Sequence, residues 1–176
     1  MKLKVSVREL CQIAMLIALA FVLERHLPIL SLPDLRITLS FVPMMLCGML
    51  FGPVWGAVAF GAADILGWPI MGLTPIPLIL LSRVVQGFLY GLILNRENLT
   101  FRTHAVTNAF STQIICGAVL TTLGLAHFRG APFLPLLWMR LPQIAILIVL
   151  SLAVFPVLVR LRNAMLKAGL VHHKRC

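Results

Sequence analysis

The chain has 176 residues, of which 60% are hydrophobic and only 11% charged, and its mean hydropathy is +1.01. A water-soluble domain has roughly a quarter of its residues charged, so this composition excludes an ordinary soluble fold. The net charge of +10 does not indicate nucleic acid, because the basic residues cluster at the ends of apolar runs and form no solvated stripe with interleaved aromatics.

The apolar runs follow one another with short polar breaks, and each approaches the roughly twenty residues needed to cross a hydrocarbon core. The first covers 7–23 and ends at Glu24-Arg25-His26, with no small-residue cleavage site, so it reads as a retained helix and not a signal peptide. Pro28 to Pro33 predicts a loop, since proline restricts the chain and removes a backbone donor. A second, rather short span over 36–51 closes at Gly52-Pro53, and a third over 54–68 ends in a loop holding Pro69, Pro75 and Pro77. The fourth covers 76–94, the fifth 105–128 and the sixth 135–159, followed by a basic tail over 160–176. The expected fold is a single all-α integral membrane domain, residues 1–176, of six transmembrane helices.

Basic residues set the orientation. With the amino terminus inside, ten lysines and arginines (Lys2, Lys4, Arg8, Arg96, Arg102, Arg160, Arg162, Lys167, Lys174, Arg175) face the cytoplasm, against five toward the outside (Arg25, Arg36, Arg83, Arg129, Arg140). An even number of spans then puts both termini in the cytoplasm. Of the four cysteines, Cys11, Cys47 and Cys116 lie in apolar runs and Cys176 in the tail, without the close spacing of metal sites or disulfide frameworks, and they read as packing residues.

An ionisable group in hydrocarbon costs several kcal/mol unless it is paired or faces a polar cavity. Arg36 and Ser40 fall early in the second span, Asp64 and Trp68 late in the third, Arg83 and Gln86 in the first half of the fourth, and Arg140 and Gln143 early in the sixth. All lie in the outer half, which points to an outward-facing pocket. Arg36, Arg83 and Arg140 outnumber Asp64, the lone carboxylate in those helix halves, so the pocket suits an anion held by bidentate contacts, while Asp64 pairs an arginine or accepts from a ring amine. Phe41, Trp68 and Trp138 stand at the same level, either to stack on an aromatic ring or as an interfacial belt. Gln113, near the middle of the fifth span, serves as the pocket floor or as an interhelical hydrogen bond.

The inner halves read as apolar, with no chain of charges leading to the cytoplasm, and the sequence lacks GxxxxGK, GxSxG and HExxH motifs. Neither an enzyme nor a self-driven pump is indicated, and no cofactor or metal is called for. Ala14 with Ala18, Gly52 with Gly56, and Gly87 with Gly91 form small-xxx-small steps that let another helix approach closely, within the bundle or on a partner.

The step Ala14-Met-Leu-Ile-Ala18, the run Arg36-Ile-Thr-Leu-Ser-Phe-Val-Pro43, then Gly48-Met-Leu-Phe-Gly-Pro53, Gly56 and Ala63-Asp64-Ile-Leu-Gly67 together resemble the substrate-binding S components of energy-coupling factor (ECF) vitamin transporters, their folate family most closely. The likeness is carried by the second and third helices, and the segment Pro75 to Arg83 departs from the Pro-Gly-Phe-Thr pattern of folate binders. The resemblance implies a bacterial plasma-membrane protein that captures its vitamin outside and docks, through the Ala14-Ala18 face, on a transmembrane coupling protein with two cytoplasmic ATPases. The chain itself would hydrolyse nothing, and toppling of the whole subunit would remove the need for an inner polar path. Folate, pantothenate and a hydroxymethyl-pyrimidine remain open as substrates; readings of another class are a stand-alone secondary transporter and a membrane assembly factor.

Overall fold

A computed structural model of the chain describes residues 7–26, 28–32, 35–71, 76–95, 101–130 and 132–167. Six helical rods run through these residues, joined after the first by a small antiparallel hairpin. Helix one is Val7–His26, helix two Phe41–Phe51, helix three Pro53–Met71 and helix four Pro77–Leu94. Helix five is continuous over 101–129, with π-helical turns at Phe101–Ala105 and Gln113–Thr121, and helix six is Phe133–Lys167. Three stretches, Pro77–Leu94, Thr103–Phe128 and Phe133–Lys167, are long and apolar enough to cross a membrane by length and composition.

The hairpin corrects two expectations, the wholly helical fold and the helical start of the second span. Strands Pro28–Leu32 and Leu35–Thr38 pair antiparallel, with Ser31 opposite Arg36 and Leu32 opposite Leu35, and the register shifts between Pro28 and Leu30. The alternation Leu35-Arg36-Ile37-Thr38, ending in two β-branched residues, suits a strand. Pro43 was the signal for the true helix start: in a helix beginning at Arg36 it would break the interior ladder, whereas in one beginning at Phe41 it occupies the first turn, where the missing N–H has no intrahelical partner in any case.

Helix two is short, about 16 Å at 1.5 Å per residue, and is apolar on every side. Met44, Met45, Cys47, Met49 and Leu50 are fully buried, making this helix the central post of the bundle. Gly52 ends it in a positive-φ conformation, its N–H bonded to the Gly48 carbonyl, and Pro53 opens helix three at once. Pro77 likewise opens helix four. Helix six carries the basic residues 160–167 as helix, so the tail foreseen from 160 begins within it, and Arg162 is buried there; 168–176 lie outside the described residues.

Helices three and four make the closest contact in the bundle, and the glycine steps explain it. A Cβ built on Gly56 would stand 2.6 Å from the Gly87 carbonyl oxygen, and one on Gly91 would collide with the Pro53 backbone at the start of helix three. Backbone meets backbone at both places, so these steps serve internal packing. Ala14 and Ala18 are exposed on helix one, whereas Ala20 turns into the core. Cys11, Cys47 and Cys116 are free thiols, the last two buried.

Candidate functional site

The hairpin and helices two, four, five and six enclose a cavity of about 120 Å³. Each element delivers one stripe. Helix four contributes Ile79, Arg83 and Gln86; helix five contributes Gln113, Gly117 and Thr121; helix six contributes Arg140, Gln143, Ile144 and Leu147. The spacings 79/83/86 and 140/143/144/147 follow the three-and-four step that keeps side chains on one helix face. The end of the second strand and the turn into helix two add Thr38, Ser40 and Phe41, with the Thr38 and Ser40 hydroxyls 3.0 Å apart.

Helix five reaches the cavity through its wide π-helical turns, a feature concentrated at functional places in helices. Threonine hydroxyls accompany the widening: Thr121 Oγ1 donates to the Cys116 carbonyl at 2.6 Å, and Thr122 Oγ1 to the Gly117 carbonyl at 3.3 Å. Ser82 of helix four joins this node, donating to the same Cys116 carbonyl at 3.1 Å and lying 2.8 Å from Thr121 Oγ1. The node ties helix four to helix five beside the cavity.

Six of the ten residues expected in the pocket line it: Ser40, Phe41, Arg83, Gln86, Arg140 and Gln143. Gln113 lines it too. Asp64 stands behind the wall, where its Oδ1 lies 3.8 Å from Arg83 Nε, so the pairing with an arginine is the arrangement found. Glu24, at the end of helix one, makes a second ion pair with Arg83 at 3.8 Å, and Asp64 is therefore not the lone carboxylate at this level. Trp68 is half-buried outside the lining, and Trp138 is 70% exposed on the outer face of helix six, directed away from the cavity. The Arg36 backbone sits in the hairpin opposite Ser31; its side chain lies outside the described residues.

Thr38, Ile79, Gly117, Thr121, Ile144 and Leu147 were not foreseen. Their signal was periodicity: each of the helical ones stands four or eight residues from a polar residue already singled out. Beyond the cavity lining, the bundle also buries more polarity than hydropathy suggested, with Tyr90, Thr112 and Asn108 all enclosed.

The cavity thus offers two guanidiniums, three carboxamides, three hydroxyls and one phenyl ring inside an apolar bundle. That set is chemically suited to an anion with hydrogen-bonding groups, and among the lining residues there is no nucleophile paired with a base. Comparison with known proteins agrees in kind. The chain is 29% identical over 175 residues to a folate transporter, FolT, of Streptococcus mutans, with 90% of each chain covered. Its fold matches a crystal structure of FolT bound with folic acid at a TM-score of 0.79, with 22% identity and 87% and 94% of the two chains covered. It also matches the S-component for biotin from an ECF-type ABC transporter at 0.68, with 21% identity and 89% and 92% covered. The family described as ECF transporter, substrate-specific component, matches residues 8–159, which is most of the chain, and the protein belongs to that family.

Proposed function

We propose that this chain is the folate-capturing subunit of an ECF-type importer, holding its ligand in the cavity between helices four, five and six. The lining carries the reading: Arg83 and Arg140 converge with Gln86, Gln113, Gln143 and Phe41. Folate has two carboxylates for the guanidiniums, a heteroaromatic edge of donors and acceptors for the carboxamides, and flat rings for Phe41. The similarity to the Streptococcus mutans folate transporter over 90% of both chains supports the choice of ligand.

The chain passes the membrane six times with both termini in the cytoplasm, an arrangement that the ten-to-five distribution of basic residues supports. Helix two covers only about half of a 30 Å core, and the extended segment before it, at roughly 3.3 Å per residue, has the length to complete that passage. ATP hydrolysis belongs to two cytoplasmic partner subunits, and a transmembrane coupling protein docks against helix one, where Ala14 and Ala18 are exposed.

Equilibrium titration of the purified chain in detergent, without partners, tests the reading. Folate is expected to bind tightly, with neither pantothenate nor hydroxymethyl-pyrimidine displacing it at comparable concentration. Preferential binding of either competitor would change the vitamin, and absence of all binding would remove the capture role. Because Trp138 points away from the cavity, Trp138→Ala is expected to leave the folate Kd within about twofold, the ordinary range for surface changes.

A further inference from the structure

Arg83 lines the cavity, and two carboxylates from other helices stand against it. Its Nη2 lies 3.8 Å from Glu24 Oε1, at the end of helix one, and its Nε lies 3.8 Å from Asp64 Oδ1, on helix three. Charge-assisted hydrogen bonds run at about 2.8 Å, so both carboxylates attract the guanidinium without clamping it. A ligand carboxylate seated at hydrogen-bond distance would hold Arg83 more tightly than either of them does.

The charges at this point do not balance, because one guanidinium faces two carboxylates. Arg140 adds positive charge to the lining from helix six, yet it is Arg83 that the two carboxylates crowd. A ligand carboxylate at Arg83 brings a third negative charge to a single positive one, and like charges this close oppose each other. One of the two resident carboxylates must give way.

They differ in what each can do. The Asp64 side chain is 15% exposed, and its Oδ2 is buried with no hydrogen-bond partner among the described residues, so loss of Arg83 would strand its charge in an apolar setting. Glu24 stands in the last turn of helix one with 29% of its side chain exposed, so water can take over its charge when Arg83 turns to a ligand.

We propose that Glu24 is an internal competitor of the ligand: in the empty protein it shares Arg83 with Asp64, and a ligand carboxylate takes its place, leaving Asp64 as the fixed counter-charge. The inference rests on the folate reading and adds to it a residue outside the cavity lining that sets affinity according to the charge of the ligand. Its sign is opposite to that of a residue that merely positions Arg83. Removing the Glu24 charge strengthens the binding of a carboxylate ligand, whereas removing a positioning contact weakens it.

The test measures binding of folic acid, and of its dimethyl ester with both glutamate carboxylates blocked, to the purified full chain in detergent. Glu24→Gln, close in shape but uncharged, is expected to lower the folic acid Kd by about threefold to tenfold, the order of a partly exposed ion pair lost from the competing state. The ester, which brings no negative charge, should change by less than about twofold. Glu24→Ala should act as Glu24→Gln does, since the charge and not the new amide is responsible. Melting curves give a second readout: without ligand both variants should melt at or below the wild-type temperature, while saturating folic acid should raise their melting temperature by more than it raises that of the wild type. A purely structural contact would not move the two quantities in opposite directions. A folic acid Kd unchanged or raised in both variants, or an equal gain for acid and ester, would overturn the inference while leaving folate capture standing. Failure of the wild type to bind folic acid would overturn the folate reading, and this inference with it.

Discussion

Replacing Arg140 or Arg83 with alanine is expected to weaken folate binding by about ten- to a hundredfold each, the loss corresponding to a charge-assisted contact of roughly 1.5–3 kcal/mol. The two variants should differ in a second respect. Arg83 lies 3.8 Å from both Asp64 and Glu24, so its removal leaves two carboxylates near the cavity without that counter-charge. Those carboxylates would repel an anionic ligand, and the one on helix three would be left in a largely apolar setting. Arg83→Ala should therefore lie at the severe end of the range and lower the melting temperature in detergent, whereas Arg140→Ala should act mainly on affinity. Arg83→Lys keeps the charge but loses the planar fork and is expected to fall between wild type and Arg83→Ala. Adding Asp64→Asn to Arg83→Ala should recover part of the stability and little of the binding. Unchanged affinity in both alanine variants would separate the cavity from the ligand.

The second large effect belongs to the contact between helices three and four. Gly56 and Gly87 meet backbone to backbone, so the first atoms that a new Cβ on Gly87 would meet are backbone atoms that cannot rotate aside, with the Phe60 ring close behind. Gly87→Val is expected to cost about 3 kcal/mol or more, at or beyond the upper end of ordinary overpacking, because the two helices must separate for the branched side chain to enter. Helix four also carries Arg83 and Gln86, so the displacement should reduce folate binding along with the melting temperature. Gly67→Ala is the internal comparison: a Cβ there meets nothing within 4 Å, and alanine is the better helix former, so stability should hold or rise slightly. Equal melting temperatures for Gly87→Val and Gly67→Ala would show that the close approach is not what holds these helices.

Much of the candidate site was readable because charge is expensive in hydrocarbon. Arg83, Gln86, Arg140 and Gln143 stood out in apolar runs, and they converge on one cavity. The aromatic residues were less legible. Trp68 and Trp138 share a level with the polar residues, but depth along a helix says nothing of azimuth, and the structure turns Trp138 outward. Glu24 was read as the end of a span; only the packing of helix one brought it to Arg83. The apolar and small members, Ile79, Gly117, Ile144 and Leu147, carry no cost that marks them and become visible only once the polar residue on the same face is known.

Hydropathy by itself determined that this is a membrane protein of consecutive apolar helices, because transfer of apolar surface depends on composition and run length and needs no knowledge of neighbours. Local chemistry also marked the breaks, with proline and glycine placed where the helices end and begin. Tertiary structure decided which faces meet. It replaced the expected start of the second helix with a hairpin, committed the Gly56 and Gly87 steps to internal packing, and left Ala14 and Ala18 exposed. It also brought Ser82 of helix four against Thr121 of helix five, a relation between residues distant in sequence that depends on how two helices are rotated against each other. Rotation and close approach are set by many weak contacts acting together, each too small and too dependent on its neighbours to be read from one position in the chain.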